Sequence, residues 1–260
     1  MARAYDARVA LTFCECSEPH VGMDKNGQQA EHGFSCLTLK DLAHKHNAEY
    51  YDLGEYAPAG QQVPEAGLLV IRNYFKSSHA DSMFLEQLAL QWDRKVFMYG
   101  GVRNKRARWN LCYDYNAQEP DYAQKKGRVV PWSSLPQTSI ARSLISRDFD
   151  LPLEILRAEG NYYYDKSCGI GFHGDAERKI VVGVSLGRTM PLVFRWYHQC
   201  EPQGTPFQVE INHRDLYIMS DYATGNNWKH RSKWTLRHAA GAPKYVSPKP
   251  RKRSKKRKVV

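Results

Sequence analysis

Residues 160–195 read GNYYYDKSCGIGFHGDAERKIVVGVSLGRTMPLVFR, and their alternation sets what the rest of the chain must build around. In a strand, residues i and i+2 leave the backbone on one face, so His173 and Asp175 present an imidazole and a carboxylate side by side. The apolar runs IVVGVSLG and MPLVFR that follow read as further strands. ILRAEGNYYY before them, and FQVEINHRDLYIM and KWTLRHA after them, add more short β-rich runs separated by turn residues. Such spacing predicts a sandwich or barrel.

A His and an Asp two residues apart are ordinary on protein surfaces, and a third ligand changes their meaning. His230, in MSDYATGNNWKHRSKWTLRH, lies 57 residues after His173. Two histidines and one carboxylate form the facial set of non-haem Fe(II) oxygenases, which leaves open positions on the metal. Gly171 and Gly174 read as room beside such a site.

The ordered motifs N-x-Y, I-G-F-H-x-D-x-E, V-S-L-G, F-R and M…W-x-H resemble the AlkB family of Fe(II)/2-oxoglutarate-dependent dioxygenases. The likeness is best over 160–195, continues through 215–238 and is looser over 67–137. It implies a mainly β fold with flanking helices, a double-stranded β-helix or jelly roll. It also implies Fe(II), 2-oxoglutarate and O2 as cofactor and cosubstrates. Carried over by position, it implies His173, Asp175 and His230 as iron ligands and Asn161 and Tyr163 as contacts to 2-oxoglutarate. Glu177 matches an acidic residue that faces the base, and Phe194 and Arg195 match a strand whose apolar residues line the interior. The run Arg231 to Arg237 resembles the arginine pair that holds the 5-carboxylate. Arg231 adjoins His230 and would point away from the metal in a strand, so Arg237 is the expected anchor.

Working outward, GGVRNKRARWNLCYDYN (100–116) combines basic charge with Trp109, Tyr113 and Tyr115, the mixture that nucleic-acid sites use. The resemblance implies a nucleotide-recognition lid here, with these aromatics walling a flipped base. Helices are expected over 77–92, with Phe84, Leu85, Leu88 and Trp92 on the apolar face and Ser77 or Ser78 as N-cap, and over 138–146. CLTLKDLAHKHNAEY suggests a short helix, and RVALTFCEC is one alternating run. Cys14, Cys16, His20, His32 and Cys36 lack the paired spacing of a structural zinc site. The expected organisation is an N-terminal extension over 1–66, helical support and lid over 67–149, the catalytic β core over 150–242, and a basic tail from 243 to 260.

The net charge of +11 is concentrated at one end. KPRKRSKKRK (249–258) holds eight Lys or Arg, and without it 30 basic residues face 27 acidic ones. Arg251, Lys252, Arg253, Lys255, Lys256, Arg257 and Lys258 read as a nuclear-import signal, an added tag or a phosphate-binding arm. The expected partners are DNA or RNA and an import receptor, in the nucleus, for a monomeric chain with no membrane segment. The expected reaction is oxidation of a methyl or other C–H group on a base, above all oxidative demethylation of N-alkylated DNA or RNA. Hydroxylation of protein side chains or of unmethylated bases, and nucleic-acid binding without catalysis, remain as alternatives.

Overall fold

The computed structural model describes residues 6–247. The seven basic tail residues named above lie outside the described residues. Two β-sheets face each other. The larger runs β4 (Glu49–Asp52), β5 (Gly67–Ile71), β15 (Leu216–Met219), β12 (Val181–Gly187), β1 (Arg8–Cys14), β10 (Arg157–Tyr163), β8 (Trp109–Asp114) and β9 (Val129–Pro131). The smaller runs β11 (Gly169–His173), β16 (Thr235–Gly241), β13 (Met190–His198) and β14 (Glu201–Ile211). Two hairpins, β2 (Cys16–Ser17) with β3 (Asn26–Gly27) and β6 (Lys95–Met98) with β7 (Gly101–Asn104), stand apart from both. This is the expected mainly β sandwich. No helix among the described residues is long and apolar enough to cross a membrane.

Continuous apolar strands in the large sheet follow from burial on both faces. In β5, Leu69 and Ile71 pack toward the helices while Leu68 and Val70 pack between the sheets. The helices α1 (Cys36–His46), α2 (Ser77–Leu88) and α3 (Pro136–Asp148) cover the outer face; a short α4 (Pro243–Val246) follows β16. The sandwich interior holds Phe194, Trp196, Phe207, Val209 and Leu236 of the smaller sheet.

Three expectations need correction. Residues 1–66 are not a separate extension, because β1 pairs with β10 on one side and β12 on the other, at the centre of the large sheet. All seven β1 residues are buried. Val9, Leu11 and Phe13 face the helices; Arg8, Ala10 and Thr12 face the smaller sheet. Next, α2 ends at Leu88 and takes Lys76 as N-cap, and its buried residues are Ala80, Met83 and Gln87. Leu85 is 65% exposed. Polar pairing orients this helix. The Gln87 amide donates to Thr138 Oγ1 at 2.8 Å and accepts from Tyr113 Oη at 2.6 Å. Lastly, Tyr113 does not wall a lid: it is fully buried in the helix-side core.

Candidate metal centre and its cavity

β11 ends at His173, directly opposite His238 on β16. Their rings meet edge to face, with centroids 4.4 Å apart. Asp175 follows on a turn whose backbone is tied down by its own N–H donating to Thr224 O at 2.9 Å. Gly174 is required there: a Cβ would lie 2.1 Å from Gly225 O. Asp175 Oδ1 stands 3.7 Å from Nε2 of both histidines. His173, Asp175 and His238 are the cluster of metal-ligating type found among the described residues, with ligand atoms within 4.8 Å of one another. The zinc-like cysteines and histidines near the N-terminus form none.

The donor set suits a metal. His173 Nδ1 lies 2.9 Å from Gly171 O and 3.0 Å from His238 O, so it carries the proton and leaves Nε2 as a lone pair facing Asp175. Burial pushes both imidazoles down, far so for His238, which keeps them neutral and able to ligate. Asp175 Oδ2 has Arg178 Nε as charged neighbour, at 3.8 Å. That is beyond hydrogen-bond reach.

His230 is not part of this cluster. It sits on an exposed turn, its N–H bonded to Asn227 O at 2.9 Å. The turn from Gly225 to Trp234 precedes β16, and only the strand carries a histidine to His173. Arg231 is exposed too. Arg237 lies on β16 beside His238 and therefore on its opposite face, paired with Arg195. Its guanidinium lies 4.1 Å over Tyr197 and donates to Trp228 O at 3.1 Å. Neither arginine points into the cavity.

A cavity of about 290 Å³ opens at the cluster. Asn161 and Tyr163 line it as expected, opposite Ala10 and Arg8 of β1. Gly183 leaves space for the Tyr217 ring on its wall; a Cβ at 183 would sit 2.0 Å from Cζ of that ring. One step past Ala10 on the same face comes Arg8, only 3% exposed. Its Nη1 donates to Met190 O and Ile211 O, each at 3.2 Å, and its Nε has no hydrogen-bond partner. Burial lowers its pKa; Tyr217, Tyr163 and Asp215 only partly oppose this, and no carboxylate forms an ion pair with it. A buried guanidinium without a carboxylate is costly, and an entering carboxylate would relieve it. Sequence reasoning missed Arg8; the pointer was a lone charge opening an otherwise apolar alternating strand.

Toward the iron end the walls are a charged network. Arg178 bonds Glu177 and Glu159, and Asn161 Oδ1 accepts from Arg108 Nε at 2.5 Å and from Asn110 Nδ2 at 2.6 Å. Glu177 thus lines the cavity, but its carboxylate is held by Arg178. Of the expected base-stacking residues, Tyr113 is packed in the core under the helices. Tyr115 sits further along, under Arg142. Trp109 is half-buried and faces away from the cavity, stacked on Tyr164 at 4.5 Å. Odd-numbered residues of β8 point to the outer face, while Asn110 turns toward the cavity.

A family model described as the 2OG-Fe(II) oxygenase superfamily matches residues 67–254. A curated relative, an uncharacterized protein of Acanthamoeba polyphaga mimivirus, is 40% identical over 247 residues, covering 92% of this chain and 97% of that protein. The family uses Fe(II), 2-oxoglutarate and O2, and the His-Asp-His cluster fits that metal. With the match spanning both sheets and all three candidate ligands, this chain belongs to the 2OG-Fe(II) oxygenase superfamily and is an Fe(II)/2-oxoglutarate-dependent dioxygenase.

Proposed function

We propose that the enzyme oxidises N-alkylated bases in DNA or RNA, with His173, Asp175 and His238 holding the iron and Arg8 holding the distal carboxylate of 2-oxoglutarate. Bound Fe(II), with 2-oxoglutarate and O2, supplies the oxidising power for C–H hydroxylation and releases succinate and CO2. The protein's part is to orient and enclose. Arg8 fixes one end of the cosubstrate, with Tyr163 and Asn161 along its length. The bond from its own N–H to Thr224 O keeps Asp175 in place, and Tyr217 walls the cavity. An N-methyl group hydroxylated here becomes a hydroxymethyl group, which leaves as formaldehyde.

The carrying observation is the charge around the cavity. Residues 93–109 hold six Lys or Arg against one Asp, while the chain without its tail carries only +3, so this segment supplies the whole positive excess of the body. It ends at Arg108 in the cavity wall. Of the six, Arg94, Lys95, Arg103 and Arg106 are exposed, and such a basic surface leading to Arg108 suits a phosphate backbone. Inside, Glu18, Glu159, Asp175 and Glu177 outnumber Arg108 and Arg178, and iron and the cosubstrate dianion cancel. That acidic lining suits a cationic group, which a base alkylated at a ring nitrogen such as N1 of adenine or N3 of cytosine carries and an unmethylated base does not. A lysine side chain carries one as well, and this supports the second reading, a protein hydroxylase. The basic segment 249–258 fits nuclear import and nonspecific phosphate contact.

Succinate release by the Fe(II)-loaded protein, offered methylated and unmethylated single-stranded DNA, RNA and a histone mixture, tests this. Stimulation by methylated nucleic acid with formaldehyde release is expected. Stimulation by histones alone would transfer the assignment to the second reading.

A further inference from the structure

On the face of β8 and β10 away from the iron lies a second cleft, of about 800 Å³. Trp109 and Tyr162 line it; Tyr162 is the chain neighbour of the cavity residues Asn161 and Tyr163, and Trp109 of Asn110, whose amide bonds Glu159 and Asn161 in the cavity wall. Cleft and cavity are therefore back to back across one strand pair. Tyr162 bridges two indoles, its ring centroid 5.3 Å from Trp92 and 5.5 Å from Trp109, so the three rings make one continuous panel. Over Trp109, at 4.2 Å, lies the guanidinium of Arg94, an exposed residue. Arg128 forms another wall. Its side chain is 16% exposed and ion-pairs with Glu119 through Nη1, while its buried Nε has no hydrogen-bond partner.

An aromatic panel flanked by arginines, one with an unused donor, is what a base with its phosphate requires. Arg94 lines the cleft and Arg108 the metal cavity, and between them in the chain lie the exposed Lys95, Arg103 and Arg106. Tyr99, at the tip of the β6–β7 hairpin, is 88% exposed. We infer that the cleft is a second nucleotide site, which stacks a base several nucleotides from the target in a single strand while the basic residues between carry the intervening phosphates. An incoming base exchanges places with the Arg94 guanidinium on Trp109 and frees that charge for the backbone. This rests on the nucleic-acid reading above and adds to it a site remote from the iron, specific for unpaired strands.

Fluorescence anisotropy with a fluorescein-labelled oligothymidylate, on the full chain, reads the site directly. Trp109→Ala is expected to weaken binding about tenfold, because base–aromatic stacking contributes on that order. The loss should persist at high salt, since stacking is not ionic. The double variant Arg94→Glu/Lys95→Glu, on exposed positions, should weaken binding as much at low salt and less at high salt. It keeps the test valid if Trp109→Ala misfolds. Both variants should raise the KM of a methylated oligonucleotide and leave that of the isolated methylated nucleoside unchanged. Wild-type affinity and KM in both folded variants would overturn the second site while leaving the proposed function intact. Conversely, oligothymidylate binding lost in both variants, with no nucleic acid oxidised by the wild type, would keep the cleft and remove the proposed substrate.

Discussion

Arg178 and Arg8 are both buried between the two sheets, and their surroundings are opposite. Burial alone would lower the pKa of Arg178, but Glu177, Asp175 and Glu159 around it hold it well above the usual arginine value. Arg8 bonds only two carbonyl oxygens, and the pull of Tyr217, Tyr163 and Asp215 does not offset its burial, so it is lowered. A guanidinium among carboxylates is part of the fold. A guanidinium buried with an idle Nε is in debt to an anion that arrives later, and in this family the anion at hand is 2-oxoglutarate. The iron end of the cavity is thus electrostatically complete apart from its metal, whereas in the proposed reading the Arg8 end is completed by the cosubstrate.

The largest effect tests the iron end. His238→Ala should abolish succinate release and Fe(II) binding, as should Asp175→Ala, with near-native circular dichroism. His230→Ala should retain turnover within a few-fold. If His230→Ala is dead and His238→Ala active, the ligand set is wrong.

Next comes the contrast itself. Arg178→Met leaves three carboxylates facing one another in a buried site, and breaking such a network costs about 3–5 kcal/mol. Arg8→Met removes a charge with no ion-pair partner, whose burial the pull of Asp215 does not offset, so the apo protein should melt at or above the wild-type temperature. Its loss appears in binding. Two charge-assisted hydrogen bonds contribute about 3 kcal/mol together, so calorimetry on the metal-loaded protein should show 2-oxoglutarate binding roughly 100-fold weaker. Arg231→Ala and Arg237→Ala should leave that affinity unchanged. A large drop in apo stability for Arg8→Met, with cosubstrate affinity retained, would erase the distinction between the two arginines.

Why the sequence yields one end of this cavity and not the other is a matter of chain distance. His173, Asp175, Asn161 and Tyr163 fall within 15 residues, and strand alternation assigns their faces with no knowledge of the partner strand. His238 was legible by the same rule, because Leu236, His238 and Ala240 share a face of the strand TLRHAAG. The rule that rejects Arg231 as a neighbour of His230 also rejects Arg237 as a neighbour of His238. Arg8 was not legible. Its strand pairs with residues 157–163 and 182–187, and periodicity says which side of a strand is apolar, never which distant strand lies alongside. Tyr113 failed for a related reason: its spacing with Tyr115 is right for a wall, but the wall is on the helix side.

Lys105 offers the finest test, because it falls between the two arginines. Its Nζ is buried without a hydrogen-bond partner, yet Asp93 and Glu159 are close enough to attract it. Burial dominates and lowers its pKa from 10.5 to about 8. The sign follows from linkage. Between pH 8 and 10.5 the unfolded chain holds a proton that the folded chain has released, so folding stability rises with pH through this window. Below pH 8 the penalty is fully present, and above 10.5 it is gone. Lys105→Met has no such titration. At pH 7 it should be more stable than wild type by about 1–3 kcal/mol, and the gap should close as the pH approaches 10.5. Tyrosines and cysteines titrate over the same range in both proteins, so the quantity to follow is the difference between the two urea midpoints. A difference that stays constant from pH 7 to 10.5 would mean that the Lys105 ammonium is stabilised in the fold as Arg178 is. Lys105 would then be structural like Arg178, with Arg8 left as the one of the three awaiting its anion.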